Sequence, residues 1–195
     1  TAAYNFALLE KRLNIESTYF ILTSSPAYNI LAKRNSELIN KISNMGHEIG
    51  LHFDASIYNN NFEKHAKNES NILSSVINKK IKSISVHNPS IHGIYPKFNG
   101  FINAYDKRIF NDKQYMSDSS MSFRGKNPFE FIKSVKKNTI QVLLHPIHYT
   151  SSGGSYDKIF YQYLKNQVIE IKKEWSVSDR FKKDIKNKKK LINIF

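Results

Sequence analysis

Seven histidines and no cysteine define the chemistry open to this chain of 195 residues. Without thiols there are no disulfides, no thiolate zinc sites and no cysteine nucleophiles, so any metal must be held by nitrogen and oxygen ligands. Imidazole and carboxylate groups are both metal ligands and proton-transfer groups near neutral pH. In Gly46-His47-Glu48-Ile49-Gly50-Leu51-His52 the two histidines are five apart, so an extended strand sends them to opposite faces. His52, at the strand's end, is the ligand or acid/base candidate, and His47 is expected to satisfy a backbone or carboxylate hydrogen bond near the strand's start. His87 precedes Asn88 and Pro89, and the proline is expected to bias the chain toward extended backbone at the strand's tip. Asp118 sits among Met116, Ser117, Ser119 and Ser120, where it serves either a site or an Asx turn or helix cap. His145 follows Val142-Leu143-Leu144 and is the best acid/base candidate, with His148 three residues on. Asp54, Asn88 and His148 lie beside these positions and are assigned to substrate binding. His65 and His92 read as exposed histidines in a helical stretch and a loop. A Gly-x-Ser-x-Gly elbow, a phosphate-cradling loop and a dinucleotide fingerprint are all missing, and Ser152-Gly153-Gly154-Ser155 lacks their context.

Elements that hold such residues can be read from hydrophobic spacing. Phe6, Leu8, Leu9 and Leu13 share one helical face, and 18–23 reads as a buried strand. Leu38, Ile39, Ile42 and Met45 mark a second helix, capped by Asn35 or Ser36 and ended by Gly46. A strand over 48–52 follows, then a helix from 62 to about 80 with Ile72, Leu73, Val76 and Ile77 as its stripe, then a strand over 83–87. Residues 89 to 115 give poor signals and read as an irregular excursion with one short helix or strand. A short strand over 115–117, a helix opening at Asn127 or Pro128 and a strand over 139–144 come next. Residues 156–190 look helical, with Ile159, Tyr163, Leu164, Val168 and Ile171 as core candidates. Strands separated by helices imply βαβ units around a parallel sheet or barrel, whose chemistry sits at the carboxyl ends of the strands. Four successive strand ends carry a His or an Asp: His52 with Asp54, His87, Asp118 and His145.

Length and composition point to one domain over 1–195 with a basic helix or tail over 171–195. The net charge is +14, and that tail holds nine Lys or Arg against three acids. The excess suits a polyanionic partner, yet only five of the 30 basic residues are arginine, and specific base or phosphate reading favours arginine. A solvated lysine-rich tail is the plainer reading. No apolar run approaches the roughly 20 residues that span a bilayer and no leader is visible, so the expected setting is cytoplasmic.

Taken together, Leu13 to Phe20, the Gly46 to His52 segment, His87-Asn88-Pro89, Asp118 and Leu143-Leu144-His145 resemble the successive motifs of polysaccharide deacetylases, in order through about 130 residues. The segment ending at His52 is the specific one, and the nearest likeness is a divergent branch acting on bacterial surface polysaccharides. The resemblance implies an α/β fold, a distorted (β/α) barrel of about seven strands. It implies a divalent metal, zinc (Zn2+), that activates water to remove an N-acetyl group from a sugar. The metal ligands would be His52, His87 and an Asp upstream of Thr1; His145 would protonate the departing amine, and Asp118 would orient His145 or bind substrate. This chain departs from the family in three places. The Asp pair of the first strand would lie before Thr1, Ser56 stands where a second metal histidine is usual, and His87 replaces an arginine. His87 or His148 is left to fill the missing ligand position. The lysine excess suits a nucleotide-linked or lipid-linked N-acetylated glycan. Two alternatives stand beside the enzyme: an inactive barrel that binds an anionic glycan, and a basic nucleic-acid-binding domain, although no specific nucleic acid is expected.

Overall fold

The computed structural model of the chain describes residues 2–134, 139–149 and 153–184. Two compact units divide it, Thr1–Pro146 and Ile147–Phe195.

The first unit alternates helix and strand: α1 (Ala2–Arg12), β1 (Thr18–Leu22), α2 (Lys33–Asn44), β2 (Glu48–Phe53), α3 (Phe62–Ile77) and β3 (Ser83–Val86). After it come α4 (Pro89–His92), β4 (Ile102–Asn103), β5 (Tyr115–Ser117), α5 (Pro128–Ser134) and β6 (Gln141–Leu143). Strands β1 to β4 form one parallel sheet in chain order, and β5 pairs with β6, also in parallel. The protein is thus a mixed α/β fold built on a four-stranded parallel sheet. Parallel strands need crossover connections, and the helices supplying them cover the sheet, which is why β3 is buried at all four of its positions. Leu51, Phe53, Leu73, Ile84 and Val86 are the largest fully buried side chains, so the core lies where β2, β3 and α3 meet. Gly50 is required there. A Cβ on it would stand 2.5 Å from Ser83 Oγ and 2.6 Å from the Phe20 ring, closer than real contacts allow.

Two helical stripes differ from expectation. On α1 the buried residues are Ala7 and Glu10, while Leu9 and Leu13 are exposed. The helix turns its carboxylate inward because Glu10 finds hydroxyl partners on Ser17 and Tyr19. On α3, Leu73 and Ile77 are buried but Ile72 is exposed, and Ala66, Glu69 and Ser70 complete the inward face. The excursion over 89–115 holds both α4 and β4, and aromatic contacts take the place of periodicity in packing it. Phe98 meets Phe53 and Phe101 edge-on, and Phe110 meets Tyr105 and Tyr115, each at a 4.8 Å centroid distance. Asn88 is left-handed (φ 44°), not extended, so the proline's bias is overridden by a residue type that tolerates this conformation. The last strand is shorter than expected, Gln141–Leu143.

The second unit contains α6 (Tyr156–Trp175) and α7 (Asp179–Asp184). The helical stretch breaks at Ser176, and its expected continuation over 185–190 lies outside the described residues, as does most of the basic tail. Ile159 is buried; Ile171, expected in the core, is exposed. Among the described residues no helix is long and apolar enough to cross a membrane.

Candidate functional site at the carboxyl ends of the strands

Register alone brings His52 and Ser85 together. β2 and β3 run in parallel with Leu51 opposite Ile84, His52 opposite Ser85 and Phe53 opposite Val86. The His52 Nδ1 atom lies 2.6 Å from Ser85 Oγ. One step beyond β3, the His87 amide donates to Phe53 O at 2.8 Å, which continues the ladder past the strand and sets the His87 ring against His52. Nδ1 of His87 and Nε2 of His52 are 3.2 Å apart, and the rings meet edge to face. Asn88 Nδ2 lies 3.0 Å from His87 Nε2 and donates to it. That donation makes Nε2 of His87 an acceptor, so Nδ1 carries the proton and gives it to His52 Nε2, and His52 in turn donates from Nδ1 to Ser85. One directional chain of hydrogen bonds therefore runs from Asn88 through both imidazoles to Ser85.

Burial pushes the His52 imidazole down to about 4, with His87 and His145 adding to the effect and Asp54 opposing it. His52 is therefore neutral, a lone-pair donor, across the physiological range.

His145 and Asp118 come from the second parallel pair. Ser117 lies opposite Leu143, so Asp118 and His145 leave β5 and β6 side by side. Asp118 caps the short turn Ser119–Met121 in position only, with no cap hydrogen bond from its side chain. Its carboxylate instead accepts from the His145 amide at 2.9 and 3.1 Å and from His145 Nδ1 at 2.6 Å. Asp118 is buried whereas the His145 side chain is 43% exposed, so the dyad points its imidazole outward from a fixed base. A carboxylate and an imidazole this close could also hold a metal ion.

The remaining expected residues divide. Asp54 caps the short turn Ala55–Ile57, accepting from the Ser56 amide and hydroxyl at 2.9 and 2.6 Å. Burial alone would raise its pKa, but those two bonds and the His87 and His92 imidazoles hold it below the usual carboxylate range. Ser56, standing where a second metal histidine was expected, is thus engaged with Asp54. His148 ends the turn Pro146–His148 and falls in the second unit. His65 is not a free surface histidine, since it stacks on Tyr58 at 3.9 Å.

His47 sits at the other end of β2 and does different work. It is buried, accepts from the Ser17 amide at Nδ1 (3.2 Å) and donates from Nε2 to Ala7 O (3.1 Å). Nearby, Glu10 accepts from Ser17 Oγ (2.6 Å) and Tyr19 OH (2.5 Å). Burial, and then the Glu10 carboxylate, raise the Tyr19 phenol well above its ordinary range.

Two buried polar side chains escaped sequence reasoning. Ser85 is one; its signal was the alternation of Ser83 and Ser85 within an otherwise apolar strand. Glu69 is the other, a buried carboxylate on α3 that accepts from Thr23 Oγ1 and from Tyr58 OH. It lines a cavity of about 220 Å³ just beyond β1, with Thr23, Ser24, Asn29 and Ile30. Its signal was a glutamate on the apolar face of a helix. Burial and then the Glu69 hydrogen bond push the Tyr58 phenol up to about 12. Compared with known proteins, the chain matches no family model and no curated relative.

Proposed function

We propose that this chain is a metal-dependent hydrolase that removes an N-acetyl group from a sugar of a bacterial surface polysaccharide or its precursor, on a distorted barrel of about seven strands. The observation that carries this reading is the 3.2 Å separation of His52 Nε2 and His87 Nδ1 at adjacent strand ends. A tetrahedral ion with metal–nitrogen bonds of about 2.0–2.1 Å keeps its nitrogen ligands about 3.3–3.4 Å apart. The two imidazoles thus fit as a pair of ligands for one divalent ion, zinc in the favoured case. Ligating histidines donate their second ring N–H to a partner that fixes their orientation. Ser85 Oγ does this for His52. Asn88 carries an acceptor oxygen beside its donor nitrogen, so it can serve His87 with either ring nitrogen protonated.

A divalent ion at this pair supplies a Lewis acid for an acetamide carbonyl and a lowered pKa for water. His145 acts as the general acid. Asp118 holds its Nδ1–H, and the imidazolium form delivers the Nε2 proton to the departing amine nitrogen. A positioned acid of this kind contributes about 10²–10⁴-fold in rate. The lysine excess draws a nucleotide-linked or lipid-diphosphate-linked glycan toward the protein at long range. A second reading, supported by their closeness, assigns the ion to Asp118 and His145; metal content in His145→Ala set beside His52→Ala distinguishes the two.

The test is acetate release from N-acetylated mono- and oligosaccharides, free and diphosphate-linked, with and without chelator. Chelator-sensitive release restored by zinc is the expected result. If no acetate appears even with added zinc or cobalt, hydrolysis is excluded; tight glycan binding would then identify an inactive barrel, and steeply salt-dependent binding to any DNA or RNA a nucleic-acid module.

A further inference from the structure

We propose that the second unit attaches the protein peripherally to an anionic lipid surface, with α6 lying along the bilayer interface. The claim stands apart from the hydrolase chemistry, since none of its residues belongs to the site above. Helix α6 has 20 residues and so extends about 30 Å. Along it Tyr156, Phe160, Leu164, Ile171 and Trp175 recur at steps of four, four, seven and four, which keeps them on one side of the helix. Leu164 is half-buried, but most of that side is exposed. Tyr156, Phe160, Ile171 and Trp175 are each more than half exposed, Val177 just beyond is 79% exposed, and Ile159 is the one buried residue of α6. Lys158, Lys165 and Lys172 recur every seven residues on a different side. That side also carries Gln167 and, at the two ends of the helix, Asp157 and Glu174; a predominantly aromatic and aliphatic face with lysines away from it is the form that beds into the headgroup boundary without crossing the bilayer.

Charge identifies the occupant. α6 itself is nearly neutral, because Asp157, Glu170 and Glu174 stand against four lysines, and Glu170 pairs with Lys173 at 3.0 Å. The sequence after it is not. Residues 176–195 carry Arg180, Lys182, Lys183, Lys186, Lys188, Lys189 and Lys190 against Asp179 and Asp184. An apolar stripe followed by a polybasic segment supplies the two signals that stable interfacial binding requires. A nucleic acid would be met by the lysines but leaves the Ile171, Leu164 and Val177 side chains without a partner, and a single arginine among these seven basic residues is poor equipment for phosphate recognition.

Trp175 is the chain's one tryptophan, so its fluorescence reports this helix alone. The full chain is mixed with vesicles of phosphatidylcholine, with or without phosphatidylglycerol, and its emission and co-sedimentation are followed. The expected result is a blue shift and co-sedimentation with the anionic vesicles, lost in high salt and absent with phosphatidylcholine alone. Replacing Phe160 and Ile171 by aspartate abolishes both signals while far-UV circular dichroism stays unchanged. Should that variant not fold, replacing Lys186, Lys188, Lys189 and Lys190 by glutamine weakens partitioning by about fivefold per charge removed. Unchanged emission at every lipid concentration overturns the proposal. So does emission already blue-shifted without lipid, which would mean another part of the chain covers the face, or a shift that grows with protein concentration alone, which would mean a second copy does. A shift with double-stranded DNA and none with anionic vesicles also overturns it. Acetate release is not read, so the result is independent of the hydrolase proposal.

Discussion

The two ends of strand β2 use the same residue type for opposite purposes. At its start His47 is walled in, with both ring nitrogens committed to backbone groups of Ser17 and Ala7, and beside it the Glu10 carboxylate is filled by two hydroxyls. This cluster ties α1 to the beginnings of β1 and β2. At the far end, the bonds of His52 run to two other side chains, Ser85 and His87, and His145 stands over a buried aspartate with much of its ring exposed. Both nitrogens of His47 are taken up by backbone groups, whereas those of His52 meet side chains that can turn away to admit a ligand. The amino end is thus tied to the backbone, while the proposed metal ligands and general acid lie at the carboxyl ends, where parallel α/β folds carry their chemistry.

Substitutions at the two ends separate these roles. The largest effect is expected at His145: His145→Ala lowers acetate release by about 10²–10⁴-fold in steady-state assays, with a melting temperature close to the parent's. If the melting temperature collapses instead, the carboxyl end is structural too.

Acid is the next lever, applied to the chelator-treated protein. His52 titrates near 4 in the folded chain and near 6.5 when unfolded, so the unfolded chain binds the extra proton between those values. Stability is therefore full above pH 6.5 and falls by up to about 3 kcal/mol as the pH drops to 4. Urea unfolding at a series of pH values should show this loss, and His52→Gln should flatten the curve.

Ser85→Ala comes third. It removes the group that orients His52 and should weaken metal affinity by about 10–100-fold in competition titrations while leaving the fold intact.

The smallest effect is expected at the amino end. Glu10→Gln weakens the bonds from Ser17 and Tyr19 and should cost about 1–2 kcal/mol of stability by denaturant midpoint, with the activity of folded molecules unchanged. A drop in activity without a drop in stability would erase the contrast between the ends.

Much of this contrast can be read in the sequence, because it rests on local signals. β2 and β3 announce themselves by short apolar runs bounded by turns, and their last residues carry the histidines, so the pairing of His52 with His87 needs only parallel register. Partners supplied across the fold are harder to see. Glu10 sits on a helix whose leucines suggest a different inward face, and only the hydroxyls of Ser17 and Tyr19 explain why a carboxylate wins the buried side. Ser85 is a single serine whose meaning depends on which residue of β2 stands opposite. Asn88 adopts a left-handed turn against the bias of the following proline. The excursion over 89–115 is held by contacts among Phe53, Phe98, Phe101, Tyr105, Phe110 and Tyr115 that have no period to detect.

The most direct test of the proposed metal centre is elemental analysis of the full-length protein beside His52→Ala, His87→Ala and Glu10→Gln. One equivalent of zinc or another divalent metal in the parent and in Glu10→Gln, lost in both histidine variants, is the predicted result. Metal retained by both His52→Ala and His87→Ala, or absent from the parent even after zinc loading, would contradict the assignment of the carboxyl ends as a metal centre.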